Sequence, residues 1–312
     1  MKANYLERVE IDVLEEPQLD FKYYVNPIQK ENELKKKKNE TLNVLSLFSG
    51  CGGMDLGFEG GFSVLKSSVN EKLTPSFIDK KLNNGFVLLK KTKFKTVFAN
   101  DILKDVRNSW VKKKKKKGRE ADLFYSQSIV DLVKLHQSGI DVFPKDIDIV
   151  TGGFPCQDFS IAGKRNGFNS HKNHNGKLID EVTPTEETRG QLYMWMKQVI
   201  EITKPKIFIA ENVKGLVNLE NVKEIIQNDF SSAGENGYIV LNPRVLHSAN
   251  YGVPQSRERV IFIGIKKSEL SKSALAELEN EIISDEYNPY PKPTHSYTAK
   301  GENLKKFVEL NE

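Results

Sequence analysis

The segment from residue 147 to residue 157 constrains the fold of this chain more than any other. It opens with the apolar run Ile-Asp-Ile-Val, typical of a buried parallel strand, and continues into a tight turn, Gly152-Gly153-Phe154-Pro155-Cys156-Gln157. In open α/β sheets, ligands bind just outside the carboxyl ends of the strands. This position makes Cys156 a candidate nucleophile. The alternative is a buried structural cysteine, the usual fate of an isolated thiol.

Strand and helix patterns alternate from about residue 43 to residue 267. Apolar runs predict strands at 44–48, 64–69, 96–99, 148–151, 207–210, 238–246 and 260–265. Helical periodicity predicts helices at 55–60, 74–82, 191–203, 222–230 and 269–283, with one more around 32–40. Strands separated by helices predict an α/β fold, with a mostly parallel sheet and helices on both faces.

Composition divides the chain into three parts. Residues 1–40 are polar and are predicted to be an N-terminal extension, whereas residues 41–285 carry the α/β pattern. Residues 286–312 begin with a proline-containing stretch that is typical of a linker. The polar stretches 112–121 and 169–187 are predicted to be surface insertions.

Charge and cysteine content narrow the class of protein. Lysines cluster at 35–38, 90–95 and 112–117, which is typical of solvated loops or, alternatively, of attraction to a polyanion. Two cysteines cannot build a disulfide framework, and no apolar run has the length of a membrane span or forms a signal core. We therefore expect a cytoplasmic protein. The five histidines lack metal-ligand spacing, so no metal is expected.

A glycine-rich turn, Phe48-Ser49-Gly50-Cys51-Gly52-Gly53, follows the first predicted strand. Glycines let a ligand approach the backbone closely, and the helix that follows offers free N–H donors at its start. Glu71, after the second predicted strand, could accept hydrogen bonds from a ribose diol. Asp101, after the third, could accept one from an adenine amino group. Each acid alone is as readily a helix cap or a surface charge, but together the three features favour an adenosine-type cofactor.

A second candidate site combines an acid with two arginines. Glu211 follows the predicted strand 207–210, where a carboxyl partly removed from water can hold or donate a proton. Gln255, Arg257 and Arg259 alternate along an extended segment and so share one face, although a surface ion-pair strip is the alternative. With the Cys156 thiolate, an acid and a guanidinium are the groups needed to attack C6 of cytosine while engaging N3 and O2.

The motifs, in this order, resemble those of the DNA (cytosine-5) methyltransferases. The similar segments are Phe48-Ser49-Gly50-Cys51-Gly52-Gly53, Gly153-Phe154-Pro155-Cys156-Gln157-Asp158-Phe159-Ser160, Arg189-Gly190-Gln191-Leu192, Glu211-Asn212-Val213 and Gln255-x-Arg257-x-Arg259. The resemblance implies a Rossmann-like S-adenosylmethionine-dependent methyltransferase fold over residues 41–285. It also implies S-adenosylmethionine as methyl donor and duplex DNA as substrate.

Roles follow from the resemblance residue by residue. Cys156 would form a covalent bond to C6 of a cytosine extruded from the duplex, with Glu211 at N3 and Arg259, more readily than Arg257, at O2. The implied cofactor site comprises Phe48, Ser49, Gly50, Gly52, Gly53, Glu71, Asp101, Ile102 and Pro155. The implied DNA contacts are Gln157, Ser160, Lys164, Arg165, Asn212 and Gln255.

The family's target-recognition domain and its last two motifs have no counterpart after residue 295. Some members of the family are split into two polypeptides, so we expect a second chain that carries these parts, within a restriction-modification system. A truncated fragment would look the same. The alternative functions are methylation of tRNA cytosine and a non-catalytic regulatory subunit.

Overall fold

The structure is a computed structural model, and it describes residues 41–114, 120–155, 192–218, 221–235, 237–299 and 303–309. The strands are β1 (Leu42–Leu47), β2 (Ser63–Leu65), β3 (Ile78–Lys81), β4 (Phe86–Leu89), β5 (Phe94–Asn100), β6 (Phe124–Tyr125), β7 (Ile149–Gly152), β8 (Ile207–Val213), β9 (Tyr238–Val240), β10 (Arg244–His247), β11 (Glu258–Lys266), β12 (His295–Ser296) and β13 (Lys305–Lys306). The α-helices are α1 (Gly53–Glu59), α2 (Lys104–Lys114), α3 (Ile129–Gln137), α4 (Leu192–Thr203), α5 (Val222–Ser231) and α6 (Lys272–Leu278).

One large sheet organises the domain, in the strand order β10-β11-β8-β7-β1-β5-β6, with β9 also paired to β11. The strands from β8 to β6 run parallel, whereas β11 runs antiparallel to β8. The carboxyl ends of β1, β7 and β8 therefore share one edge of the sheet with the start of β11. The predicted α/β fold, a mostly parallel sheet flanked by helices, is confirmed.

Alternating side chains on the strands account for the two helical layers. On β8, Phe208 and Ala210 pack into the main core, which is completed by helices α3, α4 and α5. Ile207 and Ile209 point to the opposite face and pack with Leu278 of α6. Because successive residues of a strand face opposite sides, an apolar run such as Ile-Phe-Ile-Ala forms a strand only where both faces are covered.

The region between α1 and β5 differs from the prediction. The segment 64–69 is not a parallel strand of the main sheet, and the helix predicted at 74–82 is absent. Instead β2, β4 and β3 form a separate antiparallel sheet, here called the small sheet. Its hairpin turns at Asn84 and Gly85, which both have positive φ, the backbone that Asn and Gly adopt most readily. β5, rather than β2, is the neighbour of β1.

Two further elements are shorter than predicted. The strand predicted at 238–246 is divided into β9 and β10, and the helix predicted at 269–283 is α6, which spans only Lys272–Leu278. The helix predicted around 32–40 and the insertion 169–187 lie outside the described residues. Within the described ranges, no helix combines the length and the apolar character needed to cross a bilayer.

Three distant parts of the chain meet in a hydrogen-bonded clasp beside the small sheet, formed by residues 66–70, by residues 248–252, and by residues 294–299 with 303–305. The Asn70 side chain donates to the carbonyls of Thr294, at 2.9 Å, and Asn303, at 2.6 Å. The fully buried His295 ring lies 2.9 Å from the Ser67 carbonyl, and Lys305 donates to the Val69 carbonyl at 2.7 Å. The start of the predicted linker is thus packed against the domain.

We expect Gly264→Ala to destabilise the fold strongly. A Cβ at Gly264, on β11, would lie 2.0 Å from the Phe208 ring in the main core. Overpacking of this kind costs about 1–3 kcal/mol or more. The matched control is Gly57→Ala in α1, where a Cβ would meet no atom within 4 Å and the better helix propensity of Ala applies. Urea unfolding should show a lower midpoint for Gly264→Ala alone, and equal midpoints would contradict the packing.

Candidate active site

An open cavity of about 590 Å³ lies at the edge of the sheet where β1, β7 and β8 end and β11 begins. Its lining residues come from the glycine-rich turn, from the segment that follows β7, and from β8 and β11. They are Ser46, Leu47, Phe48, Ser49, Gly53, Met54, Gly153, Phe154, Pro155, Glu211, Asn212, Val213, Arg257 and Arg259. The topology thus brings the glycine-rich turn of the first predicted site and Glu211, Arg257 and Arg259 of the second to a single cavity.

Glu211 and the two arginines form the charged part of this cavity. Because Glu211 is opposite Ile261 and Arg259 is opposite Val213, Glu211 and Arg259 are diagonal neighbours on one face of the β8–β11 pair. Glu211 Oε1 lies 2.6 Å from Arg259 Nε and 3.6 Å from an Arg257 terminal nitrogen. The Arg259 side chain is 24% exposed and that of Arg257 48%, so Arg259 is the more enclosed partner. Gln255 is exposed and does not line the cavity.

The segment after β7 is held against β8 by close contacts. A Cβ at Gly153 would lie 3.0 Å from Glu211 Oε2, so the carboxylate sits directly over this glycine. The buried Asn212 side chain faces the other way from Glu211 and donates to the Phe154 carbonyl at 3.3 Å. In this structure Asn212 therefore supports the segment that leads to Pro155.

A buried tyrosine backs this segment. The Tyr193 ring on α4 lies 6.1 Å from the Phe154 ring, and its hydroxyl donates to Asp229 at 2.6 Å. Burial, together with that hydrogen bond, raises the pKa of Tyr193 well above its usual value. The neutral hydroxyl acts as a fixed support rather than as an acid near neutral pH.

The glycine-rich turn is shaped by backbone geometry and by one buried aromatic side chain. Gly52 has a φ of +77°, and a Cβ there would lie 2.6 Å from Trp110 of α2, so no other residue fits. Trp110 in turn donates to Asp55 of α1 at 2.6 Å. By contrast, a Cβ at Gly50 or Gly53 would meet no atom within 4 Å. The backbone at these two glycines therefore borders open space.

The two acids predicted for the cofactor site have different surroundings. Asp101 follows β5, accepts from the Gly50 amide and the Leu103 amide, both at 2.9 Å, and so braces the glycine-rich turn. Its neighbour Ile102 is exposed. Glu71 lies beside the small sheet, where it pairs with Lys81 at 3.3 Å and Lys66 at 4.0 Å, and it does not line the cavity. β1, β5 and β6 are neighbouring parallel strands. The glycine-rich turn follows β1, Asp101 follows β5, and Ser126-Gln127 follows β6.

Cys156 and four predicted DNA contacts, Gln157, Ser160, Lys164 and Arg165, lie outside the described residues. The described chain reaches Pro155, which lines the cavity. No group of three or more His, Cys, Asp or Glu side chains in the described ranges is arranged to hold a metal ion.

Comparison with known proteins assigns this architecture to a family. The family model described as C-5 cytosine-specific DNA methylase matches residues 83–310, which is well over half of the chain. The chain belongs to this family. Type II methyltransferase M.BsuRI of Bacillus subtilis is 34% identical over 282 residues, 88% of this chain and 51% of M.BsuRI. This chain thus spans about half the length of such curated methylase relatives.

Two other similar proteins differ in how much of their length is covered. Type II methyltransferase M.AquIA of Picosynechococcus sp. is 31% identical over 229 residues, which is 71% of this chain and 71% of M.AquIA. M.AquIA and this chain are therefore about equal in length. Among solved structures, a Spodoptera frugiperda DNMT2 variant has a TM-score of 0.45 and 18% identity, and the match covers 85% of this chain and 61% of that one.

Methylases of this family use S-adenosylmethionine, and the residues at the strand ends fit its adenosyl part. The side-chain oxygens Ser126 Oγ and Gln127 Oε1, after β6, are buried and lack a hydrogen-bond partner in the described part of the chain. Buried polar atoms without partners are rare in folded proteins and point to a missing partner, such as a ligand. Beside them, burial raises the pKa of Tyr125 to about 12, so its hydroxyl stays neutral.

Sequence reasoning missed Ser126 and Gln127 because it took 64–69 as the second parallel strand. That choice gave Glu71 the place beside the glycine-rich turn that Asp101 occupies, and no strand was predicted at β6. The hairpin dipeptide Asn84-Gly85 was the available signal, since Asn-Gly between two apolar runs is a strong mark of a β-hairpin.

Proposed function

We propose that this methylase transfers a methyl group from S-adenosylmethionine to C5 of a flipped-out cytosine in duplex DNA. The observation that carries the proposal is the Glu211–Arg259 pair, with a 2.6 Å contact, in a cavity that is also lined by the glycine-rich turn and Pro155. The Glu211 carboxyl, the Arg259 guanidinium and the glycine-rich turn thus line the same cavity. The catalytic unit would comprise residues 41–285, with residues 286–312 leading from it.

Cys156 is the proposed nucleophile. It is bonded directly to Pro155, which lines the cavity. Its thiolate would add to C6 of cytosine while N3 takes up a proton, which turns C5 into a carbon nucleophile. After C5 gains the methyl group, water would take the C5 proton as the thiolate leaves, N3 would return its proton to Glu211, and the aromatic ring would be restored.

Glu211 and Arg259 would orient and activate the base. N3 and O2 are adjacent positions on the cytosine ring, and adjacent acid and guanidinium groups match that spacing. The Glu211 carboxyl would donate to N3 and accept from the exocyclic amino group, while Arg259 would donate to O2. Arg257, which is more exposed and farther from Glu211, would contact the surrounding nucleic acid or the carboxylate.

S-adenosylmethionine supplies an electrophilic methyl group on a sulfonium. The residues that would hold it are those of the glycine-rich turn, with Pro155 at the methyl end. Asp101, which follows the parallel strand next to β1, would accept a hydrogen bond from the ribose diol. Ser126 and Gln127, after the next strand, would then bond the adenine, the role that the sequence suggested for Asp101.

We also propose that target recognition comes from a second polypeptide and that the pair serves a restriction-modification system. The equal length of M.AquIA and this chain supports a methylase unit of this size. The type II methyltransferases among the relatives support the biological setting. A DNA substrate in a bacterial cell would place the protein in the cytoplasm.

Methyl transfer from labelled S-adenosylmethionine tests the proposal. The full chain would be offered duplex DNA or bulk tRNA, alone and with a neighbouring gene product that carries a recognition domain. We expect label at cytosine C5 in DNA, identified by nucleoside mass spectrometry, only when both chains are present. Label on tRNA would show that the substrate is tRNA rather than DNA. Full transfer by this chain alone would refute the need for a second chain. No transfer to either acceptor would refute the methyltransferase activity.

A further inference from the structure

The small sheet and its flanks carry a concentrated positive charge that the proposed chemistry does not use. Residues 60–95 contain eight lysines and two acids, Glu71 and Asp79, so this segment alone has a formal charge of +6 against +5 for the whole chain. All eight lysines are exposed, namely Lys66, Lys72, Lys80, Lys81, Lys90, Lys91, Lys93 and Lys95. Lys66 and Lys81 share Glu71, and the segment holds six more lysines than acids.

The lysines are close enough together to act on one partner. Neighbouring strands lie about 4.8 Å apart, so the three strands of the small sheet span roughly 10 Å. Duplex DNA carries one charge per about 1.7 Å of its axis, so a surface of this width can face several phosphates. Two exposed aromatic side chains, Phe77 and Phe86, stand among the lysines and add flat apolar contact area.

The small sheet is also tied rigidly to the candidate active site. The Ser68 carbonyl, just after β2, packs so tightly on Gly252 that a Cβ there would lie 2.2 Å away. The segment that ends at Gly252 is bonded in turn to the residue that precedes β11, because the Ser248 amide donates to the Arg257 carbonyl at 2.9 Å. Arg257 lines the cavity. The small sheet therefore has a fixed position relative to the cavity.

We propose that the small sheet is a second DNA contact surface, which binds the phosphate backbone beside the flipped base without reading sequence. The inference rests on the proposed function for its choice of substrate. Charge complementarity favours DNA over a protein partner, because a surface of this charge density suits a polyanion better than a mixed-charge protein surface. Lysines that contact phosphates position the duplex and supply affinity, whereas base contacts supply specificity.

Salt dependence of DNA binding tests this surface. The variant Lys72→Glu/Lys80→Glu/Lys90→Glu removes three lysines of the small sheet and its flanks. The matched control, Lys145→Glu/Lys267→Glu/Lys272→Glu, changes net charge equally at exposed sites before β7, after β11 and at the start of α6. Each phosphate contact contributes about 0.9 to the slope of log K against log salt, so the first variant should lose roughly 2–3 from its slope and the control little.

The outcomes separate this proposal from the proposed function. Equal salt-dependence slopes for the two variants, or a wild type that binds no duplex, would refute the proposal that the small sheet contacts DNA. Loss of binding to a recognition chain with an unchanged DNA slope would also overturn it, in favour of a protein-docking face. S-adenosylmethionine binding and thermal unfolding, measured on the same samples, should match the wild type in both variants. If the wild type methylates no acceptor but the salt-dependence slopes of the two variants differ, the proposed methyl transfer would be refuted. The proposed DNA contact surface would still be supported.

Discussion

Cys156→Ser is expected to abolish methyl transfer while binding of S-adenosylmethionine is retained. A serine hydroxyl is a far weaker nucleophile at neutral pH than a thiol, a fraction of which is already ionised. Loss of a catalytic nucleophile costs on the order of 10⁴-fold or more in rate. The cofactor turn, Phe48 to Gly53, is untouched by the change. Transfer of labelled methyl groups measures the first expectation and calorimetric titration with the methyl donor the second.

Trapping on a modified base provides the control for Cys156. Fluorine at C5 of cytosine cannot leave as a proton does, so the covalent adduct persists after methyl transfer. We expect denaturation-resistant complexes with 5-fluorocytosine DNA for the wild type and none for Cys156→Ser. A wild type that forms no adduct would support the alternative hypothesis that the chain is a non-catalytic regulatory subunit. A variant that loses affinity for the methyl donor would contradict the role given to the thiol.

Glu211→Gln is expected to slow methyl transfer by roughly 10²–10⁴-fold, the usual contribution of one positioned proton donor. The amide has nearly the same shape as the carboxyl, so the contact over Gly153 is kept. It cannot pass a proton to N3, and it replaces an ion pair with Arg259 by a neutral hydrogen bond. Single-turnover rates with saturating methyl donor isolate this step from binding.

Glu258→Gln is the matched control for this change. Glu258 begins the same strand as Arg259, but it is exposed and pairs with Lys214 at 2.8 Å at the surface. Exposed ion pairs of this kind contribute about 0–1 kcal/mol to stability. We expect a wild-type rate for Glu258→Gln. Comparable slowing in both variants would mean that charge near β11, rather than the proton of Glu211, sets the rate.

The sequence predicted the centre of the sheet well, because its strands are apolar on both faces. The strands at 44–48, 148–151 and 207–210 correspond to β1, β7 and β8, and they carry most of the cavity. Such runs leave little choice of structure once helices cover both sides. Glu211 and Arg259 lie in contact because their positions depend only on where β8 ends and β11 begins.

The prediction failed where the chain leaves the parallel pattern. Residues 64–69 and 74–82 have short apolar runs, which single-sequence periodicity cannot divide between helix and strand. Their pairing in the small sheet depends on contacts between β2 and β4, about twenty residues apart. The same error gave Glu71 a place at the sheet edge, whereas tertiary packing puts it between two lysines.

The clasp near the small sheet has a consequence for biosynthesis. Asn70 and Asn303 are 233 positions apart, and Lys305 bonds a carbonyl 236 positions earlier. Contacts of such separation form late, since the entropy of closing a long loop must be met first. On the ribosome, the Ser67 and Val69 carbonyls and the Asn70 side chain would lack these partners until His295, Asn303 and Lys305 emerge. A stalled or shortened nascent chain would leave the Ser67 and Val69 carbonyls, beside the small sheet, without these partners.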